Sequence, residues 1–179
     1  MADIAVVNEK IFQKFISREE IGGAVHRIAS AINRDYLDKN PLLLGVLNGA
    51  FIFAADLIRS LTIPCQISFV KFASYKGTQS TEMVHELIGV NEDLSCRHIL
   101  VVEDIVDSGI TMDHLLDHLK SFNPLSVKLA CFSFKPEAFK KSFLIDYLGI
   151  KIPNTFVVGY GLDYDGYGRN LPEMYMLKN

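Results

Sequence analysis

Two apolar runs in this chain each lead through a turn into a helix, and that repeated unit limits what the chain can fold into. Residues 42–47, Leu-Leu-Leu-Gly-Val-Leu, pass through the turn Asn48-Gly49 into a helix predicted over residues 50–60. Residues 98–102 read as a second buried strand, and Met112, Leu115, Leu116 and Leu119 give the stretch after it one apolar helical stripe. Upstream, Ser17-Arg18-Glu19-Glu20 has the form of a capping box, and Ile21, Val25, Ile28, Ile32 and Tyr36 follow at helical spacing. A helix over residues 17–37 is expected, stopped by Asn40-Pro41. Residues 66–72 and 83–88 read as strands flanking a polar stretch, 73–81, which suggests a long hairpin with a mobile tip. Further strands are predicted near residues 127–134 and 155–160.

Strands and helices therefore alternate, and the expected fold class is α/β: a mostly parallel twisted sheet with helices on both faces. In such sheets ligands sit beyond the carboxyl ends of the strands. Asn48, Glu103 and Lys135 all fall at predicted strand ends. A chain of 179 residues, 49% hydrophobic, is expected to bury one core as one domain, residues 1–179. A net charge of -3 argues against a nonspecific nucleic-acid binder. Cys65, Cys96 and Cys131 lie far apart with no C-x-x-C spacing, which suits a reducing compartment better than a disulfide framework or zinc site. No apolar run approaches membrane-spanning length. A soluble, cytoplasmic protein without a membrane partner is expected.

The loop between residues 102 and 112 carries the chemistry. Ser108, Gly109 and Thr111 let backbone N–H groups and hydroxyls approach a phosphate at a helix N-terminus, where the helix adds partial positive charge. Glu103, Asp104 and Asp107 would repel that phosphate. The conflict disappears if the carboxylates meet sugar hydroxyls, or a magnesium ion held through water. An activated ribose phosphate supplies phosphate, vicinal hydroxyls and metal together. A lone Asp-Ser-Gly would be an ordinary cap or turn. The full run Val101-Val102-Glu103-Asp104-Ile105-Val106-Asp107-Ser108-Gly109-Ile110-Thr111 is far more specific.

These residues closely resemble the phosphoribosyl pyrophosphate motif of the type I phosphoribosyltransferases, and the motif order from about residue 11 to 178 resembles their hypoxanthine (guanine) branch. The resemblance implies that fold, with a small hood and a flexible hairpin lid. It implies a purine salvage enzyme that joins hypoxanthine or guanine to phosphoribosyl pyrophosphate with Mg2+. Glu103, Asp104, Asp107, Ser108, Gly109, Ile110 and Thr111 would hold the ribose phosphate, and Asp107 would be the general base. Lys135, otherwise a solvated lysine after a strand, would donate to the purine 6-oxo group. Phe156 would stack on the base and Val157 would offer main-chain groups to it. Asn48, Gly49 and Arg169 would meet pyrophosphate, Glu103, Asp104 and Asp163 the metal, and Ser74 and Tyr75 would mark the lid. Many members carry a basic residue where this chain has Asn48, and the family often holds the Asn48-Gly49 peptide cis. The family's usual assembly implies a homodimer or homotetramer.

Two other readings remain open at this point. One is a transferase that prefers xanthine or guanine, because nothing in the sequence identifies what meets the purine 2-position. The other is a regulatory protein of the same fold that binds nucleic acid. Retained Asp107 and Lys135 favour an enzyme, as does the absence of a basic run. His114 and His118, at i and i+4, approach the H-x-x-E-H spacing but have aspartate in place of its glutamate, and they flank the core stripe.

Overall fold

The structure is a computed structural model that describes residues 3–75, 83–89 and 92–178. Six strands form the larger sheet: β3 (Leu42–Leu47), β4 (Gln66–Tyr75), β5 (Met83–Ile88), β6 (His98–Val106), β7 (Ser126–Phe134) and β8 (Tyr147–Lys151). Their order is β5-β4-β3-β6-β7-β8, and every neighbouring pair is parallel except β4 with β5. Three helices pack on it: α1 (Arg18–Asp35), α2 (Phe51–Ser60) and α3 (Ile110–Lys120).

Side-chain alternation along the strands decides which helix each face receives. Leu43, Leu100, Val102, Ala130 and Phe132 point to the face covered by α1 and α2, where they meet Ile28, Ile32, Phe53 and Leu57. Leu42, Leu44, Val101, Leu129 and Cys131 point to the other face, where α3 brings Met112, Leu115, Leu116 and Leu119. The expected sheet with helices on both faces is present. His114 and His118 both lie exposed on α3.

The capping box forms as its residues require: Glu20 N–H donates to Ser17 Oγ at 3.2 Å, and Ser17 N–H donates to Glu20 Oε2 at 2.8 Å. The helix ends two residues earlier than expected, because Asp38 and Asn40 adopt left-handed backbone before Pro41.

Two strand expectations need correction. β6 runs on to Val106, so Glu103 and Asp104 lie within the strand rather than in a loop after residue 102. Its partner β7 continues alongside, pairing Glu103 with Cys131 and Val106 with Phe134, so the ladder extends past the point where the apolar run breaks. Only β9 (Val157–Val158) forms within residues 155–160, and it lies outside the larger sheet. Gly159, Tyr160 and Gly161, at φ 95, 50 and 99°, turn the chain away directly after it.

β9 belongs to a second, antiparallel sheet with β1 (Ile4–Val7), β2 (Lys10–Ile16) and β10 (Met174–Leu177), ordered β1-β2-β10-β9. This is the hood. Ile16, Val157, Tyr160 and Met174 join the same apolar cluster as Leu43 and Phe53, so the hood packs on the α1/α2 side. The expected hairpin strands pair antiparallel, with Ser74 opposite Val84 and Tyr75 opposite Met83. Ser74 and Tyr75 thus end β4, and the rest of the proposed lid, residues 76–82, lies outside the described residues. Among the described residues no helix is long and apolar enough to cross a membrane.

Candidate active site

Four segments converge at the carboxyl ends of β3 and β6. The first is the end of β6 with the loop after it. Gly109, at φ 81°, precedes α3 in left-handed conformation and offers no side-chain cap; Ile110 N–H donates to Ser108 Oγ at 3.4 Å, a long contact that leaves the first turn of α3 open to an anion. A cavity of about 140 Å³ runs from Glu103 past Asp107, Ser108 and Gly109 to Thr111 and Met112. Amide dipoles at one end of this cavity and carboxylates at the other can bind one ligand bearing both an anion and hydroxyls. A larger cavity of about 510 Å³, lined by Arg18, Arg59 and Tyr160 among others, lies between α1, α2 and the hood. The smaller one holds the candidate residues of the acidic and phosphate-binding motif.

Lys135 supplies the second segment. It follows β7, its N–H donates to Val106 O at 3.0 Å, and its side chain is 9% exposed. Its Nζ donates to Asp107 Oδ2 at 2.8 Å. The carboxylate proposed as base and the ammonium proposed to read the purine therefore touch. The Asp107 side chain remains half-exposed toward the cavity.

The third segment is the loop after β3. A Cβ on Gly49 would stand 1.7 Å from Asp104 Oδ2, so only glycine fits against that carboxylate. The fourth is the turn after β9, where a Cβ on Gly161 would stand 2.2 Å from Gly49 O. Arg169 locks this turn: its Nη1 donates to Gly161 O at 2.7 Å and its Nη2 lies 2.7 Å from Asp163 Oδ1. Its charge reaches Asp104. Sequence reasoning had not assigned Gly161 a role. The signal available was a Gly-Tyr-Gly break in a strand-like run, which marks a close backbone approach.

The cis peptide in this region is Leu47-Asn48, not Asn48-Gly49, so the sequence expectation is corrected by one residue. The turn there is closed on either side, by Ala50 N–H donating to Val46 O and Phe51 N–H to Asn48 O. Asn48 itself is exposed. Phe156 and Val157 stand in the hood. Phe156 is 45% exposed, with its ring edge-on to Tyr164 at 5.7 Å, while its carbonyl accepts from Leu177 N–H. Val157 is buried and pairs with Met176.

The sequence profile of the phosphoribosyl transferase domain matches residues 16–165. The chain belongs to this family. It is 37% identical over 97% of its length to the hypoxanthine-guanine phosphoribosyltransferase of Streptococcus pneumoniae R6, covering 97% of that protein. It is 35% identical over 97% of its length to the protein of the same name from Aquifex aeolicus, covering 98% of it. The crystal structure of a hypoxanthine-guanine phosphoribosyltransferase from Bacillus anthracis superposes with a TM-score of 0.88 at 35% identity, covering 93% of this chain and 98% of that one.

Within this phosphoribosyl transferase, Glu103 and Asp104 follow one another on β6. Asp104 N–H donates to Glu103 Oε1 at 3.2 Å, and Ile105 N–H to Asp104 Oδ1 at 2.8 Å. Burial pushes both carboxyls up, Glu103 well above the ordinary carboxylate range with the charge of Asp104 adding to the shift. The two shifts make protonation easier in the folded chain than in the unfolded one. Between the ordinary carboxyl range and the raised values the folded state therefore holds extra protons, and stability falls as pH rises through that window. Glu103→Gln removes one of these charges. Its thermal midpoint at neutral pH should exceed that of the native enzyme, by about 2–4 °C for each kcal/mol recovered, while turnover falls. Scanning calorimetry at pH 5 and pH 8 checks this, and a lower midpoint for the variant at pH 8 contradicts the burial argument.

Among the described residues no cluster of three or more His, Cys, Asp or Glu stands ready to hold a metal. Asp163 is engaged instead by Arg169 and by Gly166 N–H, so it does not join Glu103 and Asp104 in one ligand set. The adjacent carboxylates, Asp104 buried and Glu103 half-buried at the cavity wall, nonetheless suit magnesium, which takes one or two protein carboxylates and completes its shell with water and phosphate oxygens.

Proposed function

We propose that this phosphoribosyl transferase joins a 6-oxopurine, hypoxanthine or guanine, to phosphoribosyl pyrophosphate, giving inosine or guanosine monophosphate and pyrophosphate. The reaction is purine salvage. One observation carries the reading: the 2.8 Å contact between Lys135 and Asp107 at the mouth of an anion cradle. The purine presents its 6-oxo acceptor and a neighbouring ring nitrogen on one edge. An ammonium donor beside a carboxylate acceptor matches that edge.

Backbone groups and hydroxyls from Asp107, Ser108, Gly109, Ile110 and Thr111 hold the 5-phosphate, and Glu103 and Asp104 accept from the ribose hydroxyls. Phe156, with its ring edge-braced by Tyr164, stacks on the base, and Val157 offers main-chain groups to its far side. As the far imidazole nitrogen of the purine attacks the anomeric carbon and pyrophosphate leaves with the bonding pair, Asp107 takes the proton carried by the ring nitrogen beside the 6-oxo group. Arg169 and the amides of Asn48 and Gly49 receive the departing pyrophosphate. Mg2+, held near Glu103 and Asp104, would neutralise charge on the pyrophosphate oxygens. Ser74 and Tyr75, at the end of β4, belong to the lid that shuts water out. The reading extends to a homodimer or homotetramer working in the cytoplasm, and the exposed side chains of Phe51 and Leu144 offer apolar surface for subunit contact.

Adenine should fail. Its 6-amino group turns hydrogens toward Lys135, and losing a hydrogen bond from that charged donor costs about 1.5–3 kcal/mol, which is about tenfold to a hundredfold in rate. The test incubates the protein with labelled phosphoribosyl pyrophosphate and each of hypoxanthine, guanine, xanthine and adenine, with magnesium and with chelator. Labelled product from hypoxanthine and guanine, dependent on magnesium, is the expected result. Comparable product from adenine would remove the role given to Lys135.

A further inference from the structure

The segment that joins β7 to β8 forms neither helix nor strand over residues 135–146, yet it is bound to the phosphate loop at several points. Lys140 N–H donates to Ser108 O at 3.0 Å. Lys141 Nζ lies 2.8 Å from Asp113 Oδ2, on the first turn of α3. Phe134, Phe139 and Phe143 form an edge-to-face series, with ring centroids 5.2 and 5.0 Å apart. The middle ring of that series presses on the cradle. A Cβ on Gly109 would come within 2.6 Å of Phe139 and 3.1 Å of Phe143.

Gly109 is the residue whose left-handed backbone aims the first amides of α3. A glycine at such a point is also the freest residue in the loop, and it would sample other conformations unless something held it. The rings fill the space on its open side. We infer that Phe139 is a positioning residue for the 5-phosphate cradle: it wedges Gly109 and the start of α3 in the one arrangement whose amides converge on phosphate. Phosphate affinity then depends on a side chain that never touches the ligand, because pre-organisation removes an ordering cost from binding. The same segment begins at Lys135, and Ala138 N–H donates to Lys135 O at 3.2 Å, so one strut supports both the base-reading lysine and the cradle. Nothing in the sequence motif marks Phe139, which lies 30 residues downstream of Gly109.

This inference rests on the cradle assigned above, and the experiment separates the two. Calorimetry measures the Kd for ribose 5-phosphate, which carries the phosphate end of the donor alone, beside KM for phosphoribosyl pyrophosphate, kcat and the thermal midpoint. Phe139→Ala should raise both Kd and KM by about tenfold or more while kcat at saturating donor stays within about threefold. Phe139→Leu, which refills most of the space, should recover most of the affinity. Leu119→Ala truncates a fully buried side chain at the far end of the same helix, and should lower the midpoint without raising Kd. Unchanged affinity in Phe139→Ala overturns the inference, as does an equal loss in Leu119→Ala. Should Phe139→Ala fail to fold, Phe139→Val, which leaves most of the space empty, takes its place: unchanged affinity overturns the inference and a loss of about tenfold sustains it. Thr111→Val reports on the cradle itself. If it weakens ribose 5-phosphate and Phe139→Ala does not, only the wedge falls; if Thr111→Val has no effect, the cradle assignment fails and the wedge falls with it.

Discussion

Asp107→Asn lowers kcat by about 10²–10⁴-fold, with a much smaller loss of affinity for phosphoribosyl pyrophosphate. The amide keeps the shape and size of the carboxylate, so the backbone of residues 107–111 stays in place and the 5-phosphate keeps its partners. What is lost is the proposed proton acceptor. Lys135 also loses its counter-charge: its side chain is only 9% exposed and its 2.8 Å partner is Asp107. A buried ammonium facing a neutral amide is destabilised, and its orientation toward the purine loosens. Two effects of one substitution should therefore overlap with those of Lys135→Met. In a double-mutant cycle on kcat/KM the pair should cost clearly less than the product of the single losses, because each single change already dismantles the purine-reading edge. Steady-state kinetics with hypoxanthine, together with direct titration of the donor, provide both numbers. Equal turnover in the variant and the native enzyme would refute the assignment of the base.

Gly49→Ala is expected to lower kcat/KM by about a hundredfold or more, since displacements near 1 Å at a reacting site cost that much. The added methyl would stand 1.7 Å from Asp104 Oδ2. Asp104 cannot yield, because it is buried and its Oδ1 is held by Ile105 N–H at 2.8 Å. The loop cannot retreat either, because Gly49 O already lies against Gly161, whose carbonyl is tied to Arg169. The displacement therefore spreads to the groups proposed to meet pyrophosphate and ribose, and KM for the donor should rise as kcat falls. Gly22→Ala, exposed on α1 with nothing within 4 Å of the new methyl, is the matched control and should leave kcat/KM unchanged. A fully active Gly49→Ala enzyme would mean that this loop is not part of the site.

Much of the framework is readable residue by residue. Ser17 and Glu20 announce α1, and the bounds of β3 follow from an unbroken apolar run between a proline and Asn-Gly. The acidic and phosphate-binding halves of the motif are legible because they are adjacent in the chain. The hood was harder to read. β2 alternates only loosely between buried and exposed residues, β10 is four residues long and pairs with β2 from the other end of the chain, and β9 is two residues long. Glu103 and Asp104 read as loop residues in the sequence because the apolar run ends at Val102. The partner strand β7, which sequence periodicity cannot see, carries the ladder past them.

The sequence by itself determined the chemical inventory and the alternation of strand, turn and helix, since both depend on residues within a few positions of one another. Only the tertiary structure decided which groups meet. Lys135 and Asp107 are 28 residues apart, Gly49 finds Asp104 across parallel strands, Gly161 comes down from the hood onto Gly49, and Phe139 closes on Gly109. Each of these contacts depends on sheet order, strand register and close packing between distant segments, and no local pattern of residues encodes them.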